Sequence, residues 1–156
     1  MHAELIDRYL AGADLPARGI AGLSRQELTG FPVAGTWSIQ QVVLHLMDSD
    51  LIASDRMKRV IAEDHPLIIG YDETRFSQRL GYQQADAATA CEVFRLNRKM
   101  TADMLRRLPA ADYERFGIHN ERGKVTLQEF VETYADHVHH HMKFVMEKRR
   151  VLGKPM

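Results

Sequence analysis

The sequence predicts an all-α protein, a four-helix bundle folded as one domain over residues 1–156. Three observations predict it. Apolar residues recur at helical spacing over four long stretches. Capping signals stand at the starts of the second and fourth stretches. Alternating runs of the β kind are weak throughout.

The first helix is expected over 3–23, interrupted near Asp14–Pro16, because proline removes a backbone donor and crowds the preceding turn. Ser24 and Glu27 have capping-box spacing, with Leu23 set against Leu28, and open a short stub within 24–37. The second helix is expected over 39–63. Ser38 and Gln41 form its capping box, and Trp37 is placed to staple onto Val42. Residues 66–82 read as turns or a second stub. The third helix is expected over 83–108 and stops at Pro109. Residues 109–125 read as a loop, with Gly117 and Gly123 giving a weak signal for a small strand pair. The fourth helix runs over 127–151. Thr126 and Glu129 cap it, Val125 is placed to meet Phe130, and Gly153 with Pro155 ends it. The connections exceed the usual length for a bundle, which suggests that they cover one end of a site.

Lysine plus arginine equals aspartate plus glutamate, so the formal net charge is zero. That removes the electrostatic argument for a nucleic-acid or anionic-membrane partner. The single cysteine, Cys91, excludes an internal disulfide and reads as a small buried hydrophobe within a helix. The N-terminal MHAELIDRYL lacks a basic region followed by an apolar one, and no run approaches the ~20 apolar residues of a membrane span. A cytoplasmic protein with a small-molecule substrate is expected.

Histidine is the compositional oddity, with four of the eight lying between 137 and 141. On a helical wheel with Leu127 at zero, Val131, Tyr134, Val138 and Val145 fall within ~40° and define the buried stripe. His141 lies ~40° from the origin and His137 ~80°, on the same side, whereas His139 points away at ~120°. An i,i+4 pair on one face brings two imidazoles close enough to share an ion. A third ligand must come from another helix. His45 flanks the apolar stripe of the second helix, which is apolar nearly all round in its first half, so His45 is expected to be buried and to need a partner. Asp48, at i+3 from His45, is placed to orient the imidazole or to act as a catalytic base. On the third helix Asn97 and Thr101 interrupt an apolar stripe, so they either line a cavity or bond to neighbouring helices. Arg98 and Tyr134 are candidates to meet an anionic substrate group or a developing anion. The expected substrate pocket is thus Asn97, Arg98, Thr101 and Tyr134. Tyr71 and Asp72 either cap that pocket or form a helix-starting turn.

The segment from Gly35-Thr-Trp-Ser through His45-Leu-Met-Asp-Ser-Asp resembles the second-helix signature of the DinB/YfiT-like family. Gly70-Tyr-Asp-Glu in the middle loop and His137-Val-His-His-His141 in the fourth helix resemble further signatures of it, and with the linking lengths the resemblance covers about residues 3–150. The resemblance implies a four-helix bundle with a metal site formed by His45, His137 and His141, the same residues that the wheel selects. His140 is an alternative to His141. Zinc or nickel is the implied metal, and a homodimer the implied assembly. The family includes thiol S-transferases using bacillithiol or mycothiol, a maleylpyruvate isomerase, and proteins named as metal-dependent hydrolases. Three imidazoles leave a coordination position open, which is the pattern of a catalytic site. The expected function is therefore a metal-dependent hydrolase or a thiol-dependent S-transferase using a low-molecular-weight thiol. The alternative is a non-catalytic metal-binding or stress-response bundle.

Overall fold

The computed structural model describes residues 2–156. The interrupted first helix is a pair, α1 (His2–Ala11) and α2 (Leu15–Ile20), with Pro16 in the first turn of α2. First-turn amides have no intrahelical partner, so proline costs little there. The stub α3 (Arg25–Thr29) leads to α4 (Ile39–Ala62). Next come β1 (Leu67–Ile68), α5 (Glu73–Arg79), α6 (Ala87–Leu105), a 3-10 turn (Ala110–Glu114), β2 (Phe116–His119), β3 (Gly123–Thr126) and α7 (Leu127–Val151).

All three capping boxes form. At α4, the Gln41 amide donates to Ser38 Oγ (3.1 Å) and the Ser38 amide donates to Gln41 Oε1 (2.9 Å). Thr126–Glu129 and Ser24–Glu27 repeat the exchange, so each satisfies two amides that a helix start leaves open. The third helix begins later than expected, at Ala87. Asp86 caps the Thr89 amide (2.9 Å), and the Tyr82, Gln83 and Ala85 carbonyls accept bonds from Arg25 and Gln40. Those contacts hold 82–85 outside the helix.

The weak strand signal between 109 and 125 resolves as the β2–β3 hairpin. β1 adds in parallel to β2, giving the sheet order β1-β2-β3. With two residues, β1 is too short for alternation to reveal. A Cβ at Gly117 would stand 2.8 Å from Ile68 Cγ1, so glycine is what permits this close approach.

α4 packs against both α6 and α7, and α1 closes the bundle against the same two helices. The core has two main clusters. One gathers Tyr9, Met57, Leu105, Phe130 and Val131, and the other Ile39, Val42, Leu46, Phe94, Val138 and Val145. Cys91 is buried in a smaller third cluster, and burial pushes its thiol up to about 12, which leaves it inert. No helix among the described residues is long and apolar enough to cross a membrane.

Candidate metal centre

His45, His137 and His141 converge. One ligand-type atom from each lies within 4.8 Å of the others. His45 Nε2 and His141 Nε2 are 3.2 Å apart. Two nitrogens on a tetrahedral zinc, each ~2.05 Å from the ion, stand about 3.3 Å apart, so this pair already has ligand spacing. The imidazole of His45 packs edge-on against His137 and tilted against His141, with centroids 5.2 and 4.6 Å away. His140 is exposed and packs edge-on to Phe144, outside the cluster, so the i,i+4 pair is His137 with His141.

The electrostatics suit a cation. Burial, reinforced by His141, holds His45 and His137 down at about 3. Burial and His140 hold His141 at about 4. All three are therefore neutral near pH ~7, the form that offers a lone pair. His45 is 1% exposed, and its Nδ1 has no hydrogen-bond partner among the described residues. The donor set, spacing and protonation fit a divalent ion.

A cleft of about 270 Å³ opens beside the cluster, lined by Thr36, Trp37, Val42, Glu73, His141, Phe144 and Lys148. Trp37 meets the His45 ring edge-on at 5.3 Å. Glu73 Oε2 lies 3.6 Å from His45 Nε2. Glu73 gets there because α5 is pinned over α4. Asp72 caps the Arg75 amide (2.9 Å), the Tyr71 hydroxyl bonds to Ser49 Oγ, Arg56 donates to the Ile69 carbonyl (2.7 Å), and the Gly70 amide donates to Asn120 (2.8 Å). Asp72 thus forms the helix-starting turn. Burial pushes the Tyr71 hydroxyl up to about 12, so it stays protonated.

Asp48, expected beside His45 as orienter or base, has a different partner: it accepts the Tyr82 hydroxyl at 2.5 Å. The carboxylate facing the imidazoles is Glu73. The expected pocket residues also stand elsewhere. Arg98 is fully buried, donating from Nε to Asp50 (3.0 Å) and from its Nη atoms to the Tyr9 and Tyr134 carbonyls (each 2.6 Å). Its guanidinium lies over the Tyr9 and Phe94 rings. Asn97 donates to Asp50 Oδ2 (2.7 Å), and Thr101 is buried beside the Tyr9 hydroxyl. Tyr134 packs 5.7 Å from the His137 ring, and its hydroxyl accepts from Arg56 (3.0 Å). None of the four lines the cleft. Together they join α1, α4, α6 and α7 at the level between the two core clusters. A polar break in an apolar stripe can serve a cavity or a buried network, and here it serves the network.

Sequence reasoning missed Glu73 and Lys148. Glu73 sits in the Gly70–Glu73 segment singled out only as a resemblance. Lys148 lies seven residues after His141, nearly two helical turns, and so on the same inward face.

A helical bundle that gathers three neutral imidazoles from two helices at the side of an open cleft has the donor set of a candidate metal site. Residues 11–145 match the DinB superfamily, and the chain belongs to it. Relatives named "Putative metal-dependent hydrolase" include YfiT of Bacillus subtilis, 31% identical over 121 residues (76% of this chain, 67% of that protein). Another, from Oceanobacillus iheyensis, is 29% identical over 126 residues (81% and 73%). A third, from Bacillus mycoides, is 29% identical over 154 residues (96% and 88%). The solved structure of Bacillus subtilis YfiT, described as an unusual four-helix bundle topology, matches with a TM-score of 0.90 at 24% identity, over 97% of this chain and 87% of that one. The mycothiol-dependent maleylpyruvate isomerase shares the fold with a TM-score of 0.71 at 10% identity, over 90% of this chain and 59% of that one.

Proposed function

We propose that the protein is a metal-dependent hydrolase of a small molecule, its divalent ion held by His45, His137 and His141. The observation that carries this is the convergence of three neutral imidazoles within 4.8 Å at the edge of a cleft. The names of the curated relatives favour hydrolysis. Imidazole donors suit zinc and nickel. A divalent ion bound there supplies Lewis acidity, lowering the pKa of a water or thiol beside it.

The chain's own residues do the rest. Glu73 accepts a proton at Oε2 from the attacking group, and its 57% side-chain exposure gives that proton a route to solvent. Trp37, Val42 and Phe144 form the apolar wall that seats the substrate. Asp48, bonded to the Tyr82 hydroxyl, takes no part in proton transfer in this reading. A thiol-dependent transfer at the same centre is the second reading, favoured by the mycothiol dependence of the isomerase that shares this fold. The homodimer that the family resemblance implies belongs to this proposal and is read by sedimentation.

Metal analysis of untagged protein should find about one zinc or nickel per chain, lost in His141→Ala. Turnover of an ester and amide panel should vanish on chelation and return with added metal. Unchanged metal content in His141→Ala would refute the site. Metal without turnover of esters, amides or thiol–electrophile pairs would leave a non-catalytic metal-binding protein.

A further inference from the structure

Lys148 lines the same cleft as His141, Trp37 and Phe144, yet it is only 2% exposed. Among the described residues its ammonium has no hydrogen-bond acceptor and no carboxylate within ion-pair reach. Two nearby basic residues are engaged elsewhere: Arg149 donates to the Gly19 and Ala21 carbonyls, and Lys154 pairs with Glu27. Glu147, next in sequence, is exposed. The little exposed surface it keeps opens on the cleft, and an ammonium so largely stripped of water without a partner is costly; this desolvation lowers the pKa of Lys148. Exposed lysines incur no such cost, so the position calls for a partner that arrives with the ligand.

The cleft has a polarity along its length. Glu73 and the imidazoles stand at one end. Lys148 is seven residues further along α7, about 10.5 Å of helix rise from His141 and within ~20° of it around the axis. Between them run the apolar surfaces of Trp37, Val42 and Phe144. The volume of about 270 Å³ lies near the lower end of small-molecule sites, roughly 300–1,000 Å³.

We infer that Lys148 is a specificity-determining residue, and that the ligand is a small amphipathic anion. Its carboxylate or phosphate pairs with Lys148, its apolar or aromatic body lies against Trp37 and Phe144, and its reacting end reaches the three histidines. The recognition is charge-assisted hydrogen bonding to an ammonium already largely stripped of water. This deepens the hydrolase reading, but the binding step itself requires no metal.

Trp37 is the only tryptophan in the chain and lines the cleft, so its fluorescence reports binding directly. The test titrates 3-phenylpropionate, its neutral amide 3-phenylpropionamide, and phenyl phosphate into zinc-loaded and chelator-treated protein. The anions should bind about tenfold or more tighter than the amide in both preparations, and the preference should fall to within about threefold in Lys148→Met at unchanged zinc content. Whichever anion gains more identifies the acidic group. Lys148→Gln serves as a second neutral variant should the first fail to fold. Equal binding of acid and amide by the unaltered protein overturns the inference. So does a preference that survives both substitutions, or one seen only with zinc present, which would place the anion on the metal. Failure of the chain to bind zinc would sink the hydrolase reading and leave the chelator-treated titration readable.

Discussion

Replacing Asp50 by alanine tests whether Arg98 belongs to the core or to substrate binding. The Asp50 and Arg98 side chains are each 1% exposed. Asp50 accepts from Arg98, Asn97 and the Tyr9 hydroxyl, so Asp50→Ala strands a guanidinium and two further donors in the interior. Breaking a buried pair from one side costs about 3–5 kcal/mol, a large share of the roughly 5–15 kcal/mol that stabilises a domain. At about 2–4 °C per kcal/mol for this size, Tm should fall by roughly 6–20 °C. Burial raises the Asp50 carboxyl while Arg98 opposes the shift, so urea denaturation is followed at several pH values from neutral upward. The cycle is completed with Arg98→Met and the double variant. The double variant should be more stable than the sum of the two singles implies, by about 0.5–3 kcal/mol, because it leaves no unpaired charge. A loss under about 1 kcal/mol for Asp50→Ala, the size expected of an exposed pair, would refute the buried lock. Arg98→Met that kept its stability and lost substrate affinity would return Arg98 to the pocket.

Three further outcomes are expected. His140→Ala should retain metal where His141→Ala loses it, as read by elemental analysis of the purified variants; equal loss in both would reopen the ligand assignment. Glu73→Gln should keep its metal and Tm yet lower kcat by about 10²–10⁴-fold, the usual contribution of a positioned base; unchanged kcat would remove Glu73 from proton transfer. The metal-free protein should lose stability on acidification. His45, His137 and His141 titrate at about 3, 3 and 4 when folded, against about 6.5 when unfolded. The unfolded chain therefore binds more protons between those values. Stability is fully present above pH ~7, declines as pH passes ~6.5, and goes on falling until about pH 3–4. Thermal melts across that range check the sign, and His45→Ala should show a shallower decline. A Tm that held flat from about pH 7 to 5 would contradict it.

Helix boundaries were legible in the sequence because they are local. Ser38 with Gln41 and Thr126 with Glu129 settle their helix starts through bonds spanning three residues, and the structure begins α4 and α7 where those pairs stand. The inward face of α7 was legible for the same reason, since 3.6-residue periodicity alone puts His137 and His141 on one side of a single helix. That periodicity also turns Lys148 inward, but a wheel cannot show that no carboxylate waits for it. Whether Asn97, Arg98 and Thr101 faced a ligand or one another depended on Tyr9 and Asp50, tens of residues away in the chain. Likewise Glu73, rather than Asp48, reaches His45 because bonds from Ser49, Arg56 and Asn120 hold the 69–73 loop over α4. Sequence spacing determines which residues share a face. Packing between separate elements decides which faces meet, because those contacts form only when distant segments fold against each other.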